Sequence, residues 1–282
     1  SPLLAEREFY RRIALCQLDA GIKEPVTILH NTDSVQLPAM TFATHLFNGE
    51  NLRQHSSSIL HNGKDLLDTY DVTPFASELS SLPFGLTNSV YHAQDNLLPQ
   101  FGGTGEDPEL YKFRLTRAVM AGTLVHNTMP SISRLHYGIF DKVLRAYKAF
   151  DVPHAEFLGY WKHPAKVLKG NDIYVSVYKH KSENKILAVI SHIGKPHDNQ
   201  EVEIEFDAAK LGLKPFNHAT ELMTQNDPAY AELFKLRQNN GIAVCRAELK
   251  LGDFGTEIES MKDNRLKLKL NYHSFALVEL TP

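Results

Sequence analysis

Val26-Thr27-Ile28-Leu29-His30-Asn31-Thr32-Asp33, followed closely by Thr41-Phe42-Ala43-Thr44-His45-Leu46-Phe47-Asn48-Gly49-Glu50, decides the fold. A β-branched apolar run stops at His-Asn-Thr-Asp, and a second apolar run stops at Asn-Gly-Glu. A short continuous apolar run such as Val26–Leu29 reads as a strand buried on both faces of a parallel sheet. Polar and titratable groups gathered where such strands end are what an α/β barrel presents at its active face. The expectation is a parallel sheet whose C-terminal strand ends carry the chemistry.

The flanking sequence fits this reading. Residues 4–21 have helical spacing, with Phe9, Ile13, Cys16 and Ala20 on one face and Glu6, Arg7, Arg11, Arg12 and Asp19 elsewhere. Gly21 is placed to cap that helix, and Pro25 separates it from the first strand. Helix, short turn and buried strand form one unit of an α/β architecture. A second strand is expected within 40–47 and a third around 85–93. The connection 51–84 is long and polar, with Tyr70, Phe75 and Phe84, and long ordered connections tend to carry function. Gly102-Gly103-Thr104-Gly105 lacks the spacing and the Gly-Lys-Ser/Thr ending of a phosphate loop and reads as a loop only. Asp107-Pro108-Glu109 opens a helix that runs to about Leu124. Ser131 or Ser133 caps the next, where Leu135, Ile139, Val143 and Tyr147 form an apolar stripe ending near Phe150.

After Tyr160-Trp161 the texture changes. Residues 172–178, 200–206 and 265–270 alternate, and 185–192, 241–249 and 274–280 add strand-like runs. Short alternating strands between turn residues indicate a separable antiparallel sandwich. The expected class is therefore α/β plus all-β: the C-terminal part of a (β/α)8-type barrel over 1–160, then an antiparallel β-sandwich over 161–282. Three barrel-like strands precede the sandwich where a closed barrel needs eight. The chain also opens without Met, in helix-like sequence, so the remaining strands are expected upstream.

Composition narrows the function classes. Among 282 residues, 43% are hydrophobic and 22% charged, and the formal charge is −3, ordinary for a globular protein with a sizeable core. Such a balance offers no electrostatic footprint for nucleic acid and no basic face for a membrane. No apolar run approaches the roughly 20 residues of a membrane span. Cys16 and Cys245 lie far apart and read as two buried thiols, giving neither a disulfide framework nor a zinc site. Localisation stays open, since an upstream signal peptide would direct the protein to the periplasm or outside the cell.

The order of parts resembles the C-terminal half of barrel-type glycoside hydrolases, which carry a β-sandwich directly after the barrel. More narrowly, His30-Asn31, Phe42, Gly49-Glu50, the segment Ala155-Glu156-Phe157-Leu158-Gly159-Tyr160-Trp161 and the β-rich region are similar to an uncharacterised glycoside-hydrolase-like barrel family related to glycoside hydrolase family 123. The resemblance implies a carbohydrate-active fold and a glycan partner, and it assigns no catalytic position.

Glycoside hydrolysis needs two carboxyl groups in most families, one donating a proton and the other acting as nucleophile or base. Glu50 and Asp33 are the leading pair because each closely follows a strand-like run. The plainer readings are a loop or helix-start glutamate for Glu50 and an Asx-turn or helix cap for Asp33. Substrate-assisted families, family 123 among them, need one acid and a partner that orients the substrate. His30, Asn31, His45, His92 and Asp95 can hydrogen-bond sugar hydroxyls, although a structural bond would serve each histidine equally well. No His-Glu-x-x-His motif or tight His/Cys spacing calls for a metal, and the expected chemistry uses no cofactor. A Ser-His-Asp mechanism lacks its Gly-x-Ser-x-Gly elbow. Trp161, the sole tryptophan, either stacks on a sugar or fills the domain junction. The rival reading is a non-catalytic carbohydrate-binding or structural module with a degenerate barrel. Clustered carboxyl groups at the strand ends favour the enzyme, and an aromatic surface on the sandwich favours the binder.

Overall fold

The computed structural model describes residues 2–30, 37–48, 67, 71–79, 86–90, 108–131, 135–194, 199–223 and 256–282. The opening stretch does form parallel strands. β1 (Ile28–His30), β2 (His45–Asn48), β3 (Thr87–Val90) and β4 (Met129–Pro130) lie in chain order in one sheet, every pair parallel. Helices α1 (Pro2–Asp19), α2 (Leu37–Met40), α3 (Val72–Leu79), α4 (Pro108–Leu124) and α5 (Tyr137–Phe150) alternate with these strands or flank them. β1 is buried on one face only: Leu29 is buried while Ile28 and His30 are exposed. The helix α3 inside the long 51–84 connection and the two-residue strand β4 have no periodic run long enough to read from sequence.

α1 lies about one residue away from the rotation that its apolar spacing predicts. Phe9 and Cys16 are exposed, and the partly covered face is Glu6, Tyr10, Ile13 and Gln17. Polar anchors set that rotation. The Gln17 side-chain amide accepts from Val26 N–H (2.9 Å) and donates to Val26 O (3.1 Å), and the Arg7 guanidinium sits 5.1 Å over the Phe42 ring. Tyr10 packs against the small cluster of Leu29, Ala39, Met40, Ala43 and Leu46. The expectation of a buried Cys16 thiol is thus corrected. Cys245 lies outside the described residues.

Beyond α5 the described chain is almost all strand. β5 (Glu156–Leu158), β6 (Ala165–Lys169), β7 (Ile173–Lys179), β8 (Ile186–His192), β9 (Gln200–Phe206), β10 (His218–Glu221), β11 (Glu257–Lys262), β12 (Arg265–Leu270) and β13 (Phe275–Thr281) form two antiparallel sheets. Their orders are β10-β13-β8-β7-β5 and β11-β12-β9-β6. Alternation in β9 and β12 works as read: Val202, Ile204, Phe206, Leu266, Leu268 and Leu270 enter one cluster with Val175, Val177, Ile190 and Val278 of the other sheet. Their alternate residues face out, where Arg265–Glu205 (3.0 Å) and Lys267–Glu203 (3.5 Å) pair across the strands. Such exposed pairs contribute little, about 0–1 kcal/mol each. Asp263 (φ 49°) and Asn264 (φ 66°) make the two-residue turn between β11 and β12, a left-handed backbone that Asp and Asn tolerate.

β7, β8 and β13 are buried on both faces, which simple alternation does not anticipate. Their second face, with Tyr178, Leu187, Val189, Phe275 and Leu277, shares one core with Val119, Met120 and Leu124 of α4 and Ile139, Val143 and Phe150 of α5. Neither serine caps α5. The cap is His136, whose Nδ1 accepts from Ile139 N–H (3.4 Å), and Asp151 closes the far end in the left-handed conformation (φ 67°). Hydrogen bonds also tie the turn after α4 to β7. Ser176 Oγ donates to Val125 O (2.6 Å) and accepts from Tyr160 N–H (3.0 Å), and Tyr178 Oη donates to Asn127 Oδ1 (2.7 Å).

Gly122 makes room for α3. A Cβ there would meet the Phe75 ring at 2.6 Å, and Phe75 is buried and has little room to retreat. Overpacking typically costs about 1–3 kcal/mol, against a helix-propensity gain of about 1 kcal/mol for Gly to Ala. Gly122→Ala is therefore expected to lower the thermal midpoint, and a raised midpoint would show that α3 gives way freely.

His126 follows α4 in the same seam. Its Nδ1–H donates to Gly122 O (2.6 Å), which leaves Nε2 to accept from Tyr160 Oη (3.3 Å). Burial pushes the imidazole down from 6.5 to about 4, although the Gly122 bond opposes the shift. Between those values the unfolded chain binds a proton that the folded chain refuses. Stability is then full above about pH 6.5, falls as the pH falls towards about 4, and loses about 3 kcal/mol across that window. Urea midpoints taken from about pH 7 down to about pH 4.5 should record the decline. His126→Gln should flatten it, and an unchanged slope in that variant would assign the decline to other groups.

Candidate functional site

The parallel sheet fixes which ends of its strands meet. His30 pairs with Phe47, Asn48 with Val90, and Val90 with Pro130, so the four C-terminal ends share one edge. Neighbouring strands run about 4.8 Å apart, so the segments leaving this edge start side by side. Ser89 Oγ donates to Met129 O (3.1 Å) and ties β3 to β4 there. His30 is exposed at the edge, its ring 5.5 Å from that of Phe47.

The other predicted residues divide by their place in the chain. Asn31 and Asp33 directly follow β1, Glu50 stands two residues beyond β2, and His92 and Asp95 follow β3. All five lie outside the described residues, so the topology gives the edge they leave from and nothing about their side chains. His45 is different. It opens β2, at the opposite end of the sheet, roughly 10 Å from the edge by strand rise. Its Nδ1 lies 2.8 Å from Thr44 Oγ1, which accepts from Thr27 N–H (3.0 Å) and donates to Thr27 O (3.1 Å). The ring therefore donates to a hydroxyl that locks the start of β1 to β2, a structural bond. Among the described residues, no group of three or more His, Cys, Asp or Glu is placed to hold a metal ion, and no helix is long and apolar enough to cross a membrane.

A second feature was only half visible in the sequence. Between β6 and β7, where the two antiparallel sheets open at one side, lies a cleft of about 870 Å³. Its lining combines the apolar Ile173, Val175 and Phe206, the aromatic Tyr160, Trp161 and Tyr174, and the polar Asp207, Lys210, Asp263 and Asn264. Trp161 keeps 38% of its surface exposed and packs edge-on to Tyr160 (5.1 Å). Partial burial raises the phenol pKa of both Tyr160 and Tyr174, so both rings stay neutral and keep their hydroxyl protons. The lone tryptophan at the junction was the available signal. The polar lining comes from the turns after β9 and between β11 and β12, and no local pattern joins it to residue 161.

Comparison with known proteins gives one sequence match and several matches of fold. Residues 141–246 match "Glycoside hydrolase 123, C-terminal domain". The matched segment starts inside α5, the helix that packs on the five-stranded sheet. No curated protein matches the chain. In fold the chain is similar to an Anoxybacillus α-amylase, with a TM-score of 0.51 at 10% identity, covering 98% of this chain and 56% of that one. It is also similar to a noncanonic maltogenic α-amylase from Thermotoga neapolitana (TM-score 0.47, 9% identity, 98% of this chain and 59% of that one). A third is a family 27 β-L-arabinopyranosidase from Geobacillus stearothermophilus, solved with arabinose (TM-score 0.41, 13% identity, 98% and 62%). The chain thus spans 56–62% of the length of these solved structures. Through residues 141–246 the chain thus carries a segment similar to the C-terminal domain of glycoside hydrolase family 123.

Proposed function

We propose that the protein hydrolyses a glycosidic bond at the C-terminal edge of β1–β4. On this reading the chain supplies the C-terminal part of a (β/α)8-type barrel and the β-sandwich that follows it. The pairing of β5 with β7 supports a division just ahead of Glu156, a few residues before the one that the sequence texture gives. One observation carries the proposal: parallel strands in chain order present their C-terminal ends together, next to a family 123 C-terminal domain match. Loops at such strand ends are where barrel enzymes place their catalytic groups.

The roles follow from the chemistry. Glu50 is the proton donor to the leaving oxygen, and Asp33 is the second carboxylate, acting as nucleophile or base. In a substrate-assisted reaction Asp33 would instead orient the group on the sugar that attacks. His30, Asn31, His92 and Asp95 hold hydroxyls around the scissile bond, and no step calls for a redox cofactor. His45 is left out of the set because it stands at the other end of β2.

The intact protein should release reducing sugar from at least one member of a panel of α- and β-linked neutral glycans. The panel should include sugars with and without an acetamido group beside the anomeric carbon, since only the former can assist their own cleavage. Saturable binding with no release across the whole panel would instead favour the non-catalytic module.

A further inference from the structure

We propose that the cleft between β6 and β7 is a second ligand site, built for a neutral saccharide and separate from the strand-end centre. Its volume of about 870 Å³ falls within the range of about 300–1,000 Å³ typical of small-molecule sites. The apolar part is the open end of the inter-sheet core, with Ile173, Val175 and Phe206 all buried. Tyr160, Trp161 and Tyr174 line the cleft, and the part of Trp161 left exposed, 38% of its surface, gives aromatic area to weakly positive C–H groups. Gly159 leaves room for the indole: a Cβ there would come within 2.4 Å of it.

The rest of the lining supplies polar groups, two of them held by hydrogen bonds from backbone N–H groups. Asn264 Oδ1 accepts from Phe216 N–H (2.7 Å), which fixes the amide. Asp207 Oδ1 accepts from Lys210 N–H (2.9 Å), leaving Oδ2 as an acceptor for hydroxyls. Lys210 Nζ donates to the carbonyls of His163 (3.3 Å) and Lys162 (3.5 Å), and so ties the polar lining to the segment that carries Trp161. Charge decides the ligand class. Glu205 is taken by Arg265 (3.0 Å), and the remaining lining charges, Lys166 and Lys210 against Asp207 and Asp263, balance. An aromatic lining together with a neutral, hydrogen-bonding one suits a ring with C–H faces and a rim of hydroxyls.

This site does not depend on the hydrolase reading, and it lies away from the strand-end edge. Trp161 packs beside His126, which precedes β4, whereas the edge is where β4 ends.

Because Trp161 is the only tryptophan, its emission reports this cleft directly. Maltotriose, cellotriose and xylotriose, each titrated into the intact protein at millimolar concentrations, should give a saturable change for at least one. Asp207→Ser keeps an oxygen for Lys210 N–H while losing the carboxylate, and should weaken that response about tenfold or more with an unchanged circular dichroism spectrum. Glu50→Gln should leave the curve where it was, whatever it does to turnover. No saturable change with any of the three, or an equal response in Asp207→Ser, would overturn the site. A response displaced by Glu50→Gln would assign it to the strand-end centre, and a stronger response to glucose 6-phosphate would overturn the neutral ligand class.

Discussion

A fragment that begins at Glu156 and carries only the two antiparallel sheets is expected to self-associate, bind a hydrophobic dye and lose its sharp unfolding transition. The alternating strands predict a separable unit, but α4 and α5 supply the cover for the outer face of the five-stranded sheet. Tyr178, Leu187, Val189, Phe275 and Leu277, all at most 2% exposed, lie in the core shared with those helices. Burying one such side chain contributes about 1.5–3 kcal/mol, so uncovering the five forfeits about 10 kcal/mol as an upper estimate. Domains of this kind are stable by only about 5–15 kcal/mol in total. The inter-sheet core remains, so the strands should still form, with an apolar patch open to solvent. Restarting the fragment at Pro108 returns both helices and should restore a monomer with a cooperative melt. A fragment from Glu156 that is monomeric, dye-negative and cooperative would show that the helices are not part of that core.

This outcome also marks what the sequence could reveal. Strands with one polar face were legible: β9 and β12 carry Glu, Lys and Arg at every second residue because those residues face water. The buried strands β7 and β8 were located but their surroundings were not, since a run apolar on both sides does not say what lies over its second face. α4 was announced by Asp107-Pro108-Glu109, while α5 takes its cap from His136, a residue type that seldom signals a helix start. α1 shows the limit of periodicity. Its apolar spacing is real, yet Gln17 and Arg7 find specific partners in Val26 and Phe42, and those contacts set which side is covered. Of the site, the shared edge was legible from two apolar runs that stop in polar residues. That His45 begins its strand while His30 ends one was not, because register is a relation between strands. The cleft at Trp161 was hidden for the same reason: its walls come from segments some 40 to 100 residues apart in the chain.

The largest expected effect on activity belongs to Glu50. Its warrant is topological: β2 ends at Asn48 on the edge shared with β1, β3 and β4, and Glu50 is the first carboxylate after it. A proton donor needs a carboxyl group that can be protonated, and an amide at the same place keeps the size and loses that proton. General acid or base catalysis contributes about 10²–10⁴-fold, which sets the size of the loss. Glu257 is the control. It sits on β11, paired with Lys269 at 3.4 Å, and its change to Gln removes only a surface ion pair. The deciding measurement is the turnover number of Glu50→Gln in the intact protein, set against the parent and Glu257→Gln on the glycan the parent cleaves best. The strand-end assignment predicts a fall of about 10²–10⁴-fold for Glu50→Gln alone, with its circular dichroism and melting temperature unchanged. Near-parental turnover in Glu50→Gln would contradict it.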